Sequence, residues 1–487
     1  VFDMKTATLA NVHRLLSTGL AASYQFRLGI RTHVGAGAGE RVITARQVYY
    51  LFGRIAEHLD HAPHATKKER AKNREARNEP LTAEDREERE ARFLEYINRI
   101  VHASHPTDVP QADVLALDAT SIPTWGRPKG PSDANPGTAN EHVRSADRES
   151  KWGKQTYTHQ NGSTQQFGFN AVTTAGLHTP RSGVEPLKLI EDVTIAPANA
   201  SVVHAALALV EERSRAVATP ARIAADRGFT YSPTYAAGLH DRGIESTLDI
   251  HPQDAGARAD QRTGVLMIDG WPHVPWTPTR LHEITRPPRF TIAKRDDDAT
   301  LEERREHKAQ RRALARFHEL IAERGKYALS PNGRAKTDGR RHFFTSRHDA
   351  HLATATHRKS KVFTQATITI DADVAPKLRQ RLRWGSPEWI EEYSPRSAVE
   401  ATYGNLKSPD GENMRRGWIR LFGLVRTGLM LAFAAAHHNL RVVRRWAERT
   451  GAATADLLLV ADPPDLGFEE RTVDDLVAAA QAPPLAA

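Results

Sequence analysis

Apolar residues in the first hundred positions recur mainly at helical spacing. Ile43-Thr-Ala-Arg-Gln-Val-Tyr-Tyr-Leu-Phe-Gly-Arg-Ile55 predicts an amphipathic helix, and Thr44 stands where a hydroxyl would cap its first turn. The pattern then changes. Val114 to Ile122 is apolar enough for a strand buried on both faces. A polar stretch rich in Pro, Gly, Ser and Asn runs from Pro123 to Ser163, followed by strand-like runs at Gln166 to Thr174 and Leu187 to Ile195. Ser201 to Arg213 has helical spacing, and Arg222 to Ala225 reads as a short strand ending at Asp226. Ser232-Pro233 opens a helix that stops near Gly243, and Glu245 to His251 is a fifth strand. The predicted order is βββαβαβ.

Residues 252–375 interrupt this pattern. Val265-Leu-Met-Ile268, Asp269-Gly270 and Trp271-Pro-His-Val274 predict a hairpin with Asp-Gly as its turn. Arg289 to Lys294, His342 to Thr345 and Val362 to Ile370 are further strand candidates, with one charged helix among them. Trp418 to Trp446 predicts one or two apolar helices, whose most apolar run, Thr427 to Ala436, is too short to span a bilayer. The expected domains are a helical N-terminal domain over 1–108, an α/β unit split between 109–251 and 376–450, the insertion at 252–375, and a tail at 451–487. The tail is acidic, contains Pro463-Pro464 and Pro483-Pro484, and is expected to be poorly ordered.

Composition narrows the function classes. The chain has 487 residues and no cysteine, which excludes disulfides and cysteine-based zinc sites and permits a reducing compartment. Lys and Arg exceed Asp and Glu by 9, and the stretch from Thr300 to Lys361 carries an equal surplus on its own. A local nucleic-acid-facing surface would explain that asymmetry, and so would a charged surface helix with paired signs. Lys67 to Arg77 holds six basic residues without an apolar stripe, as in an exposed linker or a DNA-tracking segment. The N-terminal helices fit a helix-turn-helix or a plain dimerisation unit equally well.

The candidate chemistry lies near the C-terminal end. Tyr393, Arg396, Glu400 and Lys407 form the pattern Y-x2-R-x3-E-x6-K. At 100° per residue, Arg396, Glu400 and Lys407 fall within about 40° of one another on a helix. Ser394-Pro395 predicts that helix's start, leaving Tyr393 just outside it. One carboxylate between two cations suits a metal held beside a phosphate better than a packing surface.

With Asp118 in Val114-Leu-Ala-Leu-Asp-Ala-Thr120 and Asp226 in Ile223-Ala-Ala-Asp-Arg-Gly-Phe229, this pattern resembles the DDE transposases of bacterial insertion sequences, in the group named for the Y-R-E-K motif. Many relatives carry Gly where this chain has Ala119. The strand and helix order is similar to that of the ribonuclease-H-like fold. The resemblance therefore implies an α/β protein: a ribonuclease-H-like catalytic core of a mixed five-stranded sheet with flanking helices, interrupted by a largely β insertion. Asp118, Asp226 and Glu400 would be both the catalytic and the metal-binding residues, holding two Mg2+ (or Mn2+) ions about 4 Å apart. Tyr393, Arg396 and Lys407 would contact DNA phosphates, and Tyr403 on the same helical face could replace Tyr393.

Relatives use a tryptophan of the insertion to stack on a displaced base, which the resemblance extends to Trp271 and Trp276. Filling a small β core is the plainer use of both rings. His342, His348, His351 and His357 are dense but irregularly spaced, which favours solvated or phosphate-contacting roles over zinc. The implied partners are double-stranded DNA, as element terminal inverted repeats and target, and further copies of this chain in a homodimer or larger assembly. The implied location is the bacterial cytoplasm at the nucleoid, with no membrane. A nuclease without strand transfer and a non-catalytic DNA-binding descendant are the rival expectations.

Overall fold

β1 (Val114–Pro123) is flanked on both edges. It pairs antiparallel with β3 (Gly162–Gly176) and parallel with β5 (Arg222–Ala225), which explains why Val114 to Leu117 are all buried. β6 (Glu245–Leu248) extends the parallel side. β2 (Lys151–Tyr157) and β4 (Ile190–Pro197) pair with successive halves of β3. The result is a mixed α/β fold with a six-stranded sheet, ordered β2-β3-β1-β5-β6 with β4 also on β3. The computed structural model describes residues 9–14, 16–17, 25, 43–61, 81–106, 112–128, 145–157, 162–177, 187–287, 300–333, 335–336, 338–415 and 419–451.

Sheet alternation divides the core. Leu115 and Leu117 of β1 and Ile223 and Ala225 of β5 pack with α4 (Val202–Ala216) and α5 (Pro233–Asp241) on one face. Val114, Ala116 and Ala224 face the other way, against α3 (Ala83–His102) and α9 (Leu424–Thr450). α2 (Ala45–Leu59) adds Ala56 and Leu59 to that same core, and α1 (Leu9–Arg14) precedes it. The Thr44 capping box with Gln47 forms as the spacing predicts. Two asparagines close the outer edge of β4. Asn98 of α3 bonds both backbone groups of Val193, and Asn439 of α9 does the same for Ile190. Each side chain acts as a one-residue strand, leaving these edge groups satisfied.

Two local expectations are corrected. β2 lies inside the stretch read as a polar loop; it forms as an extension of β3, with the Trp152 ring against Phe167 at 5.4 Å. Val362 to Ile370 is not one strand. Lys361–Thr364 is a helical turn with Val362 fully buried, and only Thr367–Ile370 pairs. The C-terminal apolar segment forms one long helix, α9, the first of the two expected alternatives.

The insertion has a core of its own, built from two three-stranded sheets and α6 (Leu301–Gly325). These sheets are β7 (Ala257–Ala259), β8 (Leu266–Ile268) and β9 (Trp271–His273), and β10 (Ser330–Pro331), β11 (Arg341–Phe344) and β12 (Thr367–Ile370). The β8–β9 hairpin turns at Asp269-Gly270, both with positive φ of 50° and 78°. A side chain at Gly270 would put its Cβ 2.5 Å from that of Leu378, so space and backbone both demand glycine. Lys67–Arg77, Arg289–Lys294 and the tail beyond Gly451 lie outside the described residues. Among the described residues no helix is long and apolar enough to cross a membrane.

Candidate active site

The sheet delivers two of the expected aspartates by register. Leu117 pairs with Ala225, and Ala225 with Leu248, all in parallel strands. The next residues are Asp118, Asp226 and Asp249, so three carboxylates leave adjacent strands in one row, with neighbours about 4.8 Å apart along the sheet. Parallel α/β sheets bind ligands at this carboxyl edge. Each aspartate is fixed locally. Asp118 Oδ1 accepts from the Ala119 amide at 2.8 Å, Asp226 Oδ1 from Gly228 at 2.9 Å, and Asp249 Oδ1 from Ile250 at 3.0 Å.

The third carboxylate arrives on a helix, though not one that starts at Ser394. Ser386 caps α7 (Pro387–Tyr393) by accepting from Trp389, so the helical run begins eight positions earlier than Ser394. Pro395 has no N–H for an α-helical bond, and Ser394–Arg396 tightens into a 3-10 turn before α8 (Ser397–Lys407) continues. Tyr393 is therefore the last residue of α7, and the Ser394 hydroxyl donates back to the Ile390 carbonyl instead of capping. Arg396 sits at the joint, buried at 4% exposure.

Arg396 ties the strands to the helix. Its Nη2 donates to Glu400 Oε1 at 2.6 Å, and its Nη1 reaches Asp118 Oδ2 at 3.4 Å. Its Nε is buried without a partner. Exposure rises outward, from 5% for the Arg396 side chain through 15% for Asp118 to 42% for Glu400. Burial, then the neighbouring Asp226 charge, pushes the Asp118 carboxyl up to about 7 against the pull of Arg396. Burial raises Asp226 as well. Burial opposes the charge of Arg396, but Tyr393 and the three carboxylates outweigh it and hold the guanidinium firmly protonated.

The remaining motif residues frame this centre. Tyr393 is buried and stacks on Trp389 at 4.4 Å and 13°, with the Arg396 guanidinium 5.3 Å from its ring. Lys407 is half-buried; its ammonium donates to Thr120 Oγ1 at 2.6 Å and lies 3.5 Å from Ser121 Oγ. Burial lowers its pKa, and no carboxylate pairs with it among the described residues. Tyr403 does not stand in for Tyr393. Its hydroxyl donates to the Asp118 carbonyl at 2.6 Å and accepts from Thr173 at 2.8 Å, so it braces β1 from within the core.

Trp271 and Trp276 are not brought to the site. Both are buried in the insertion core at 6% and 4% exposure, and their indole N–H groups are used on the Leu329 and His348 carbonyls. Neither offers a face to a displaced base in this structure, because the small β core needs their area. His342 bonds Thr369, His357 belongs to the capping box of a short helix, and His348 packs edge-on to Tyr327. Among the described residues no group of three His, Asp or Glu has the spacing to hold a metal ion.

The donor set at Asp118, Asp226 and Glu400 still fits a hard divalent cation. All three are oxygen ligands, and one buried guanidinium with an orphaned Nε opposes three carboxylates. Arg396 stands between Asp118 and Glu400, bonded to both. No protein-family model, curated protein or solved structure matches the chain. Sequence reading missed Asp249, Arg286 and the bracing role of Tyr403. Asp249 had a usable signal, since it falls within the expected fifth strand, Glu245 to His251, next to Leu248.

Proposed function

We infer that the protein is a metal-dependent polynucleotidyl transferase that cleaves DNA at element ends and joins the new 3′-hydroxyl to target DNA, as a DDE transposase with a ribonuclease-H-like core. The observation that carries this reading is the row of Asp118 and Asp226 on adjacent parallel strands, linked through Arg396 to Glu400. The strand order β4-β3-β1-β5-β6, antiparallel then parallel, supports the ribonuclease-H-like reading of the sheet.

Asp118, Asp226 and Glu400 would hold two Mg2+ or Mn2+ ions. Bound there, the metal supplies an activated oxygen nucleophile and charge stabilisation at the leaving oxygen. The protein's own groups do the rest. The pair of raised aspartates releases a proton as cations arrive. Arg396, already within reach of two carboxylates, offers a planar fork to a phosphate oxygen. Lys407, held by neutral hydroxyls rather than a carboxylate, keeps its charge for a phosphate farther along β1. The surface is reached by double-stranded DNA and works on paired ends in a homodimer or larger assembly, in the cytoplasm.

The test is a supercoiled plasmid carrying the sequences that flank the coding region. Mg2+-dependent nicking that yields joined product, lost in Asp226→Ala with DNA binding retained, supports the reading. Normal cleavage by Asp226→Ala overturns it, and cleavage without joining leaves a nuclease.

A further inference from the structure

The row of strand-end aspartates has a third member, and it holds an arginine that the motif does not include. Asp249 continues the ladder, its amide donating to the Ala225 carbonyl at 3.4 Å. Its Oδ1 also accepts from Trp384 Nε1 at 2.9 Å, and its Oδ2 lies 3.6 Å from Arg286 Nη1. The Arg286 guanidinium lies over the Trp389 ring at 5.4 Å and the Tyr393 ring at 5.8 Å. Arg286 and Arg396 therefore flank one tyrosine. Arg286 differs from Arg396 in two ways: its side chain is 32% exposed, and none of its N–H donors makes a hydrogen bond to a described residue. A guanidinium fixed by two aromatic faces and one carboxylate, with its donors open to solvent, is built to receive an oxyanion.

We propose that Arg286 is a second phosphate-binding arginine of this site, gripping the DNA backbone beside the phosphate held by Arg396, and that Asp249 is its positioning residue. This rests on the DNA-cleaving reading above. Asp249 holds Arg286 in place rather than binding metal, since the Trp384 indole and the Ile250 amide already occupy its Oδ1.

The test is binding of a fluorescent DNA duplex of arbitrary sequence to the full chain in Ca2+ over a series of salt concentrations. Arg286→Ala should bind about tenfold more weakly. Its slope of log affinity against log salt should fall by about 0.9, one phosphate's worth, and Arg286→Lys should restore that slope. Asp249→Asn should weaken binding with the slope kept, and combining it with Arg286→Ala should add nothing further. An unchanged affinity and slope in Arg286→Ala, with both reduced in Arg396→Ala, overturns the proposal and leaves the functional reading intact. A wild-type chain without salt-dependent DNA binding overturns both.

Discussion

The Tyr403 hydroxyl donates to the backbone carbonyl of Asp118 at 2.6 Å, across 285 positions of sequence. The same oxygen accepts from Thr173, the residue paired with Asp118 on β3. The helix that carries Glu400 is thus pinned to the strand that carries Asp118 at that aspartate itself. Tyr403→Phe would leave a buried carbonyl and a buried hydroxyl without their partner, and should destabilise the protein by about 1–3 kcal/mol. Urea denaturation with an unchanged m-value checks it.

Asp118 sets a pH dependence in metal-free protein. Its folded pKa, about 7, lies above the ordinary 3.8, so the native state keeps a proton that the unfolded chain releases. Stability therefore falls as pH rises from about 4 to 7, then levels off. Burial raises Glu149 and Glu191 to about 7 as well, so the difference between wild type and Asp118→Asn isolates Asp118 together with its interaction with Asp226. In EDTA the variant should be more stable than wild type by about 1–3 kcal/mol at pH 8 and nearly equal to it at pH 4.

Metal affinity should run the opposite way. A cation needs the carboxylates deprotonated, so protons compete with it below the raised pKa. Calorimetric titration with Mn2+ should show binding tightening by about tenfold per pH unit up to neutrality and little above. A flat profile would count against Asp118 as a ligand.

Much of the fold was legible because its signals are local. The apolar runs around β1 and β5 announce buried strands, and Asp118 and Asp226 stand inside or just past them. The spacing of Arg396, Glu400 and Lys407 places them on one helical face whatever precedes the helix. What was not legible depends on distant partners. β2 has little apolar content and exists because β3 is long enough to pair it. The closure of β4 by Asn98 and Asn439 joins residues that no periodicity connects. Trp271 and Trp276 look alike whether they face solvent or a core, and only the sheets around them decide. Ser394-Pro395 looks like a helix start, yet Ser386-Pro387 offers the same signal earlier and wins.

Arg213 carries a separate prediction about stability. It is buried, and its Nη1 contacts Glu191 at 3.3 Å and Asp192 at 3.0 Å, while Nη2 donates to the Ala112 carbonyl at 3.0 Å. Asp192 also accepts from Thr174. Arg213→Ala leaves two buried carboxylates without their cation at the start of β4, and should destabilise the protein by about 3–5 kcal/mol. Thermal and urea unfolding would show the loss, and Arg213→Lys should recover part of it.

The central claim is that Asp118, Asp226 and Glu400 seat divalent cations at the sheet edge. Anomalous diffraction from crystals soaked in Mn2+ tests it most directly. The account predicts metal peaks about 2.1 Å from carboxylate oxygens of Asp118 and Asp226, with Glu400 completing a second ion's shell and Arg396 withdrawn from between them. Peaks elsewhere, with the guanidinium still bridging Asp118 and Glu400, would contradict it.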